Sequence, residues 1–256
     1  MTVDARVEWV GALLLVATVC DTSALAGQSA TGAGVARTAD GRPDLSGFWQ
    51  VLNTAAWDIQ DHSAQPGVPA GQGVVDGNEI PYQPWAAEKQ KENFANRATA
   101  DPASKCYLPG VPRLTYLPFP LQIVQTTRDV IVLSEYAHAV RTIHMDGRPH
   151  PADVVESWLG DSRGRWDGDT LVVDVTHFNG KTWFDRAGNF HSDALHVIER
   201  YTPAGPDHID YAVTIEDGKV FTRPWTMRMT LYRRKEKNFQ LLEYECYGFA
   251  VEKLYP

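Results

Sequence analysis

Gly168-Asp169-Thr170-Leu171-Val172-Val173-Asp174-Val175-Thr176 and, further along, His196-Val197-Ile198-Glu199-Arg200-Tyr201-Thr202 are the stretches on which the fold turns. In the first, Leu171, Val173 and Val175 alternate with Val172, Asp174 and Thr176, the two-residue period of a strand with one face on a core. In the second, Glu199 shares a face with Val197 and Tyr201, opposite His196 and Arg200. The same alternation marks 122–126, 130–136, 140–143, 209–215, 226–233 and 240–246 as strands, and Asp-Gly pairs at 146–147, 167–168 and 217–218 supply tight turns. About eight short strands with no long helix between them predict an all-β domain. The expected form is an antiparallel meander closing into a lipocalin-like barrel around a small cavity, with a two-sheet sandwich as the alternative.

This β domain is expected over 121–256. Before it, 27–120 reads as an irregular arm rich in Gly and Pro, packed with the domain as one unit. Within the arm, Leu45-Ser46-Gly47-Phe48-Trp49-Gln50-Val51-Leu52 looks like a first short strand, and Pro84 opens a single helix at about 85–97. Prolines at 102, 109, 112, 118 and 120 keep 101–120 out of regular structure, so this segment is expected to wrap over the surface with Cys106 pinning it.

Residues 1–26 read as a secretory signal. Arg6 precedes an apolar run over 10–20 that is too short to span a bilayer, and Ala24-Leu25-Ala26 gives a small-x-small cleavage pattern. Val19, bulky just before Cys20, speaks against lipid attachment. The expectation is a periplasmic or secreted protein that begins near Gly27 and has no transmembrane span. Removing the signal moves the net charge from −8 to −6, which offers no long-range attraction to nucleic acid or an anionic membrane. Cys106 and Cys246 then remain, and in an oxidising compartment they have one possible pairing; the alternative is two buried free thiols. The loop they close takes in nearly the whole β region, for which chain entropy gives about 4–5 kcal/mol.

Two motifs with chemical associations are weak here. Gly160-Asp161-Ser162-Arg163-Gly164 has the spacing of a nucleophile elbow, but Arg165 to Thr170 read as a turn into a β run, whereas an elbow needs a helix at that point. Eight histidines invite a metal, yet none has ligand spacing, so no metal and no cofactor are expected. The stronger signal is the density of ionisable groups between 138 and 200. Glu199, His144, Asp146, Asp185 and His191 are the candidate acid–base residues, because carboxylates beside His and Arg have their proton affinities pushed apart. Arg141 and Arg148 would hold an anionic group, and Trp158 and Trp183 would contact an apolar one, in a single cleft at the mouth of the β structure. Glu199 ranks first, since a carboxylate on an otherwise apolar strand face is either paired or functional. The eight tryptophans suit a strong core or an aromatic pocket equally.

Pro43-Asp44-Leu45-Ser46-Gly47-Phe48-Trp49, Trp158-Leu159-Gly160-Asp161-Ser162, Gly168-Asp169-Thr170-Leu171-Val172-Val173-Asp174 and His191-Ser192-Asp193-Ala194-Leu195-His196-Val197-Ile198-Glu199-Arg200-Tyr201 resemble a large uncharacterised family of exported proteins of soil and other environmental bacteria. The resemblance spans nearly all of the mature chain and implies export and one domain; it brings no reaction with it. Two functions are therefore expected from the residues. One is a cofactor-independent hydrolase, lyase or isomerase acting on a small sugar-like or aromatic compound, and the other is a periplasmic carrier of such a ligand. Convergent carboxylate, His and Arg groups in one pocket would mark the enzyme, and a mostly apolar cavity the carrier.

Overall fold

The computed structural model describes residues 1–2, 34–153, 155–244 and 246, so the signal reading, which rests on residues 3–26 including Cys20, lies outside the described residues. The strands are β1 Gly47–Val51, β2 Leu121–Gln125, β3 Asp129–Ser134, β4 Val140–His144, β5 Asp161–Asp167, β6 Thr170–Thr176, β7 His196–Pro203, β8 His208–Glu216 and β9 Trp225–Arg233. They form one closed barrel in sequence order, with β1 paired to both β2 and β9. The helices are α1 Pro84–Ala100 and the single-turn α2 Arg113–Tyr116. An all-β barrel is thus what the alternating strands build.

Three details differ from the sequence reading, each for a local reason. First, the barrel is mixed: the long connection over 145–160 brings the chain back to its starting end, so β5 runs parallel to β4, with Ile143 opposite Ser162. β5 is itself a strand that reads as a turn, because its inner positions are Ser162, Gly164 and Trp166, two of them without an apolar side chain, and its outer ones are charged. Second, 240–246 is not a strand. β1 occupies the free edge of β9, so the barrel has no open edge for another strand, and Tyr244 makes only an isolated bridge to Tyr136. Third, 101–120 does not stay on the surface. Its prolines exclude long regular elements, yet Leu114, Thr115 and Tyr116 are buried, and the Tyr116 hydroxyl donates to the Phe184 carbonyl at 2.7 Å.

The core is continuous across arm and barrel. Trp49 is buried at the closing strand, donates its indole N–H to the Leu45 carbonyl at 2.9 Å, and lies 4.1 Å beneath the Arg233 guanidinium. Ile59, Ile80 and Ala86 from the arm join the same apolar cluster as Val173, Val197 and Leu231 from the barrel. Cys106 and Cys246 are disulfide-bonded, with Cα atoms 5.4 Å apart.

Candidate functional site

The nine residues expected to share a cleft are distributed over separate parts of the molecule. Glu199 and Arg141 lie inside the barrel, where strand phase places them. Glu199 is fully buried and accepts from Arg141 Nη1 at 3.1 Å, from Arg141 Nη2, from the Tyr201 hydroxyl at 2.9 Å and from the Tyr211 hydroxyl at 2.8 Å. Arg141 Nε donates to Ser162 Oγ at 3.0 Å, so the serine of the elbow-like motif is a mid-strand residue facing this cluster. Burial, followed by the Glu199 charge, pushes both tyrosine hydroxyls up, while Glu199 raises Arg141 against the opposing effect of burial. Every member is partnered and sealed. Pairing and burial make the cluster a polar layer where a lipocalin-type barrel would hold its ligand.

Outside the barrel, His144 Nδ1 meets Asp129 Oδ1 at 2.8 Å. Asp146 is held by Arg148, through the backbone N–H at 3.0 Å and Nε at 2.7 Å, which pulls its carboxyl down to about 2. Trp158 stacks on Tyr107, with centroids 4.9 Å apart, and Trp183 packs against the core opposite Phe190. A band of His–carboxylate contacts crosses the outer face beside them. His150 bridges Asp161 (2.6 Å) and Asp174 (2.9 Å), while His196 bridges Asp174 (3.0 Å) and Glu216 (3.0 Å). Each ring places both nitrogens against carboxylate oxygens.

Asp185 and His191 lie in the connection between β6 and β7, both buried. His191 is held between Thr182 Oγ1 at 2.6 Å and the Ser192 carbonyl at 2.8 Å, and burial lowers its proton affinity. Asp185 joins the arm to this connection. Its Oδ2 accepts from the Ile59 N–H at 2.9 Å and from Asn189 Nδ2 at 2.6 Å, and its Oδ1 accepts from the Asn189 N–H at 3.1 Å. The next residue is fixed by the Arg186 N–H donating to the Ala56 carbonyl at 3.2 Å. On the other side, α1 docks through Gln90 on the Ala187 carbonyl (2.9 Å) and Asn93 on the Gly188 carbonyl (3.1 Å). Gly188 has φ +85, and a Cβ there would stand 2.8 Å from the Phe94 backbone N, so only glycine lets helix and loop approach this closely.

These contacts assemble a cleft that the sequence reading places nowhere. One lobe, of about 350 Å³, is lined by Trp57, Asp58, His62, Phe94, Arg97 and Arg186, and by the turn of a small hairpin that pairs His62 with Gly71. Two cation–aromatic stacks line it, with Arg97 at 4.0 Å over Phe94 and Arg186 at 4.5 Å over Trp57. Burial pushes the Asp58 carboxyl up, partly offset by the Gln60 N–H and the nearby His62. Burial followed by the Asp58 charge pushes Asp185 up to about 7. His62 Nδ1 contacts the Gln60 carbonyl at 2.9 Å; a carbonyl only accepts, so Nδ1 carries the hydrogen, while Nε2 is buried without a hydrogen-bond partner among the described residues.

The second lobe, of about 620 Å³, shares Trp57 and Arg186 with the first and continues past Phe119, Tyr136, Tyr244 and the disulfide. A legible trace of the first lobe is Trp57-Asp58-Ile59-Gln60-Asp61-His62, an aromatic and ionisable run within the arm. Among the described residues, no helix is long and apolar enough to cross a membrane, and no three His, Cys, Asp or Glu side chains are placed to hold a metal ion. Set against known proteins, the chain matches no family model and no curated protein, so this cleft is read from its own geometry.

Proposed function

We propose that the chain is an exported, cofactor-independent enzyme that performs acid–base chemistry on a small aromatic or sugar-like compound in the lobe beside Asp58. One observation carries this reading: a carboxyl with raised proton affinity, an imidazole whose Nε2 has no partner among the described residues and two guanidinium groups line a single pocket. Asp58 is the proton donor, His62 the acceptor, and Arg97 and Arg186 hold an oxyanion. Trp57 and Phe94 supply apolar faces for a ring. A carboxyl raised by burial beside an imidazole offers the acid and base that hydrolysis, elimination and isomerisation require. Export agrees with the disulfide, a bond of oxidising compartments.

The test is a screen of aromatic and sugar acids for conversion by the mature protein, followed by Asp58→Asn and His62→Gln on any substrate found. Each substitution is expected to lower turnover by about 10²-fold or more with the melting temperature retained. Conversion that survives both substitutions would place the chemistry elsewhere. The carrier reading is favoured by one specific feature, the larger and more aromatic second lobe.

A further inference from the structure

We propose that the second lobe is a binding site for a small planar aromatic anion such as an aryl carboxylate. The inference goes beyond the acid–base reading and holds whether or not the first lobe is catalytic. Phe119, Tyr136 and Tyr244 form a mutually packed set of rings in its wall, with centroid separations of 5.6, 4.6 and 5.8 Å. The Tyr136 hydroxyl is fixed on the Ala103 carbonyl at 2.9 Å, and the Cys106–Cys246 bond holds the segment carrying Tyr244 against the same wall. The rings therefore present a pre-arranged apolar surface, and about 620 Å³ is ample for a one- or two-ring ligand.

The cations give the sign of the ligand. Lys105 and Arg186 line the lobe, and neither has an ion pair among the described residues. Arg113 also lines it, with a side chain only 3% exposed. Two of its nitrogens are committed to Asp101, at 2.8 Å each, but the third, Nε, is buried with no acceptor. A buried donor without an acceptor is unfavourable, and a ligand oxygen would supply the missing partner. One carboxylate in this lobe is exceeded in charge by three cations, so the site favours an anion over a neutral or cationic ring. The carboxylate would address Lys105 and Arg113 Nε, and the ring would lie among Tyr136, Tyr244 and Phe119.

The experiment is calorimetric titration of the mature, oxidised protein with 2-naphthoate and, separately, with its uncharged amide, 2-naphthamide. The carboxylate is expected to bind one per chain, with the amide weaker by about tenfold, the scale of a charge-assisted hydrogen bond lost. Lys105→Gln, an exposed change that leaves the core untouched, should weaken naphthoate by a similar factor; Tyr244→Ala should do so as well. Asp58→Asn and His62→Gln should leave its affinity unchanged, which separates failure of this site from failure of the catalytic reading. Equal affinity for acid and amide, an affinity indifferent to Lys105→Gln and Tyr244→Ala, loss of binding in Asp58→Asn, or no binding at all would each overturn the proposal.

Discussion

The barrel interior and the cleft beside Asp58 are built from the same residue types and differ in completeness. Inside, Arg141, Glu199, Tyr201, Tyr211 and Ser162 satisfy one another and exclude solvent. In the cleft, Asp58, His62, Arg97 and Arg186 line open space, and His62 Nε2, although buried, has no hydrogen-bond partner among the described residues. A closed polar network fixes the packing of strands around it; an open one leaves bonding capacity for a guest. Charge on an apolar strand face is thus a poor guide to chemistry on its own, since pairing accounts for Glu199 fully.

The strongest way to break this comparison is to open the closed network. Arg141→Met removes the guanidinium and leaves Glu199 buried without its counter-charge, a change that destabilises proteins by about 3–5 kcal/mol. Denaturant unfolding should show a loss of that order. A loss below about 1 kcal/mol, the scale of a solvent-exposed pair, would mean that the interior is wet and open rather than sealed.

A smaller effect sharpens the cleft side. Asp185 holds the cleft walls together with its proton affinity raised from 3.8 to about 7. Below about 3.8 both folded and unfolded chains carry this proton, and above about 7 neither does. Between these limits only the folded chain holds it, so rising pH opposes folding and stability falls through the window. Melting curves across pH 4–7 should show that limb, and Asp185→Asn should flatten it. An Asp185→Asn protein with the same slope as its parent would remove Asp185 from the account.

The smallest effect belongs to the outer band. His196 is about a third exposed (31%), and Asp174 and Glu216 are more so. His196→Gln is therefore expected to change stability by no more than about 1 kcal/mol, and less in high salt. A larger loss in the same unfolding assay would show the band to be a structural element comparable with the interior.

Much of the barrel was legible because period-two alternation is a direct imprint of a half-buried strand. The alternation at Thr170–Thr176 and His196–Pro203 also assigned faces, with Glu199 inside and Asp174 outside. β5 was illegible because Trp166 is the one large apolar side chain on an inner face otherwise made by Ser162 and Gly164. Closure was equally hidden, since nothing local announces that Gly47–Val51 pairs with strands starting 74 and 178 positions further on. The cleft was missed for a similar reason. Asp58, Arg97 and Arg186 lie far apart in sequence and are joined by contacts between distant segments, among them the hydrogen bonds of Asp185, Gln90 and Asn93 and that of the Arg186 N–H on the Ala56 carbonyl. The density of ionisable residues along 138–200 reads as one cleft; in the structure it includes local turn and ion pairs such as Asp146–Arg148.

The division of labour between interior and cleft is tested most directly by comparing Glu199→Gln with Asp58→Asn for both melting temperature and turnover, on a substrate returned by the screen. The account predicts that Glu199→Gln lowers the melting temperature sharply, whereas Asp58→Asn keeps the parent melting temperature and loses about 10²-fold in turnover. A Glu199→Gln protein that melts like the parent but no longer turns over substrate, beside an active Asp58→Asn, would contradict it.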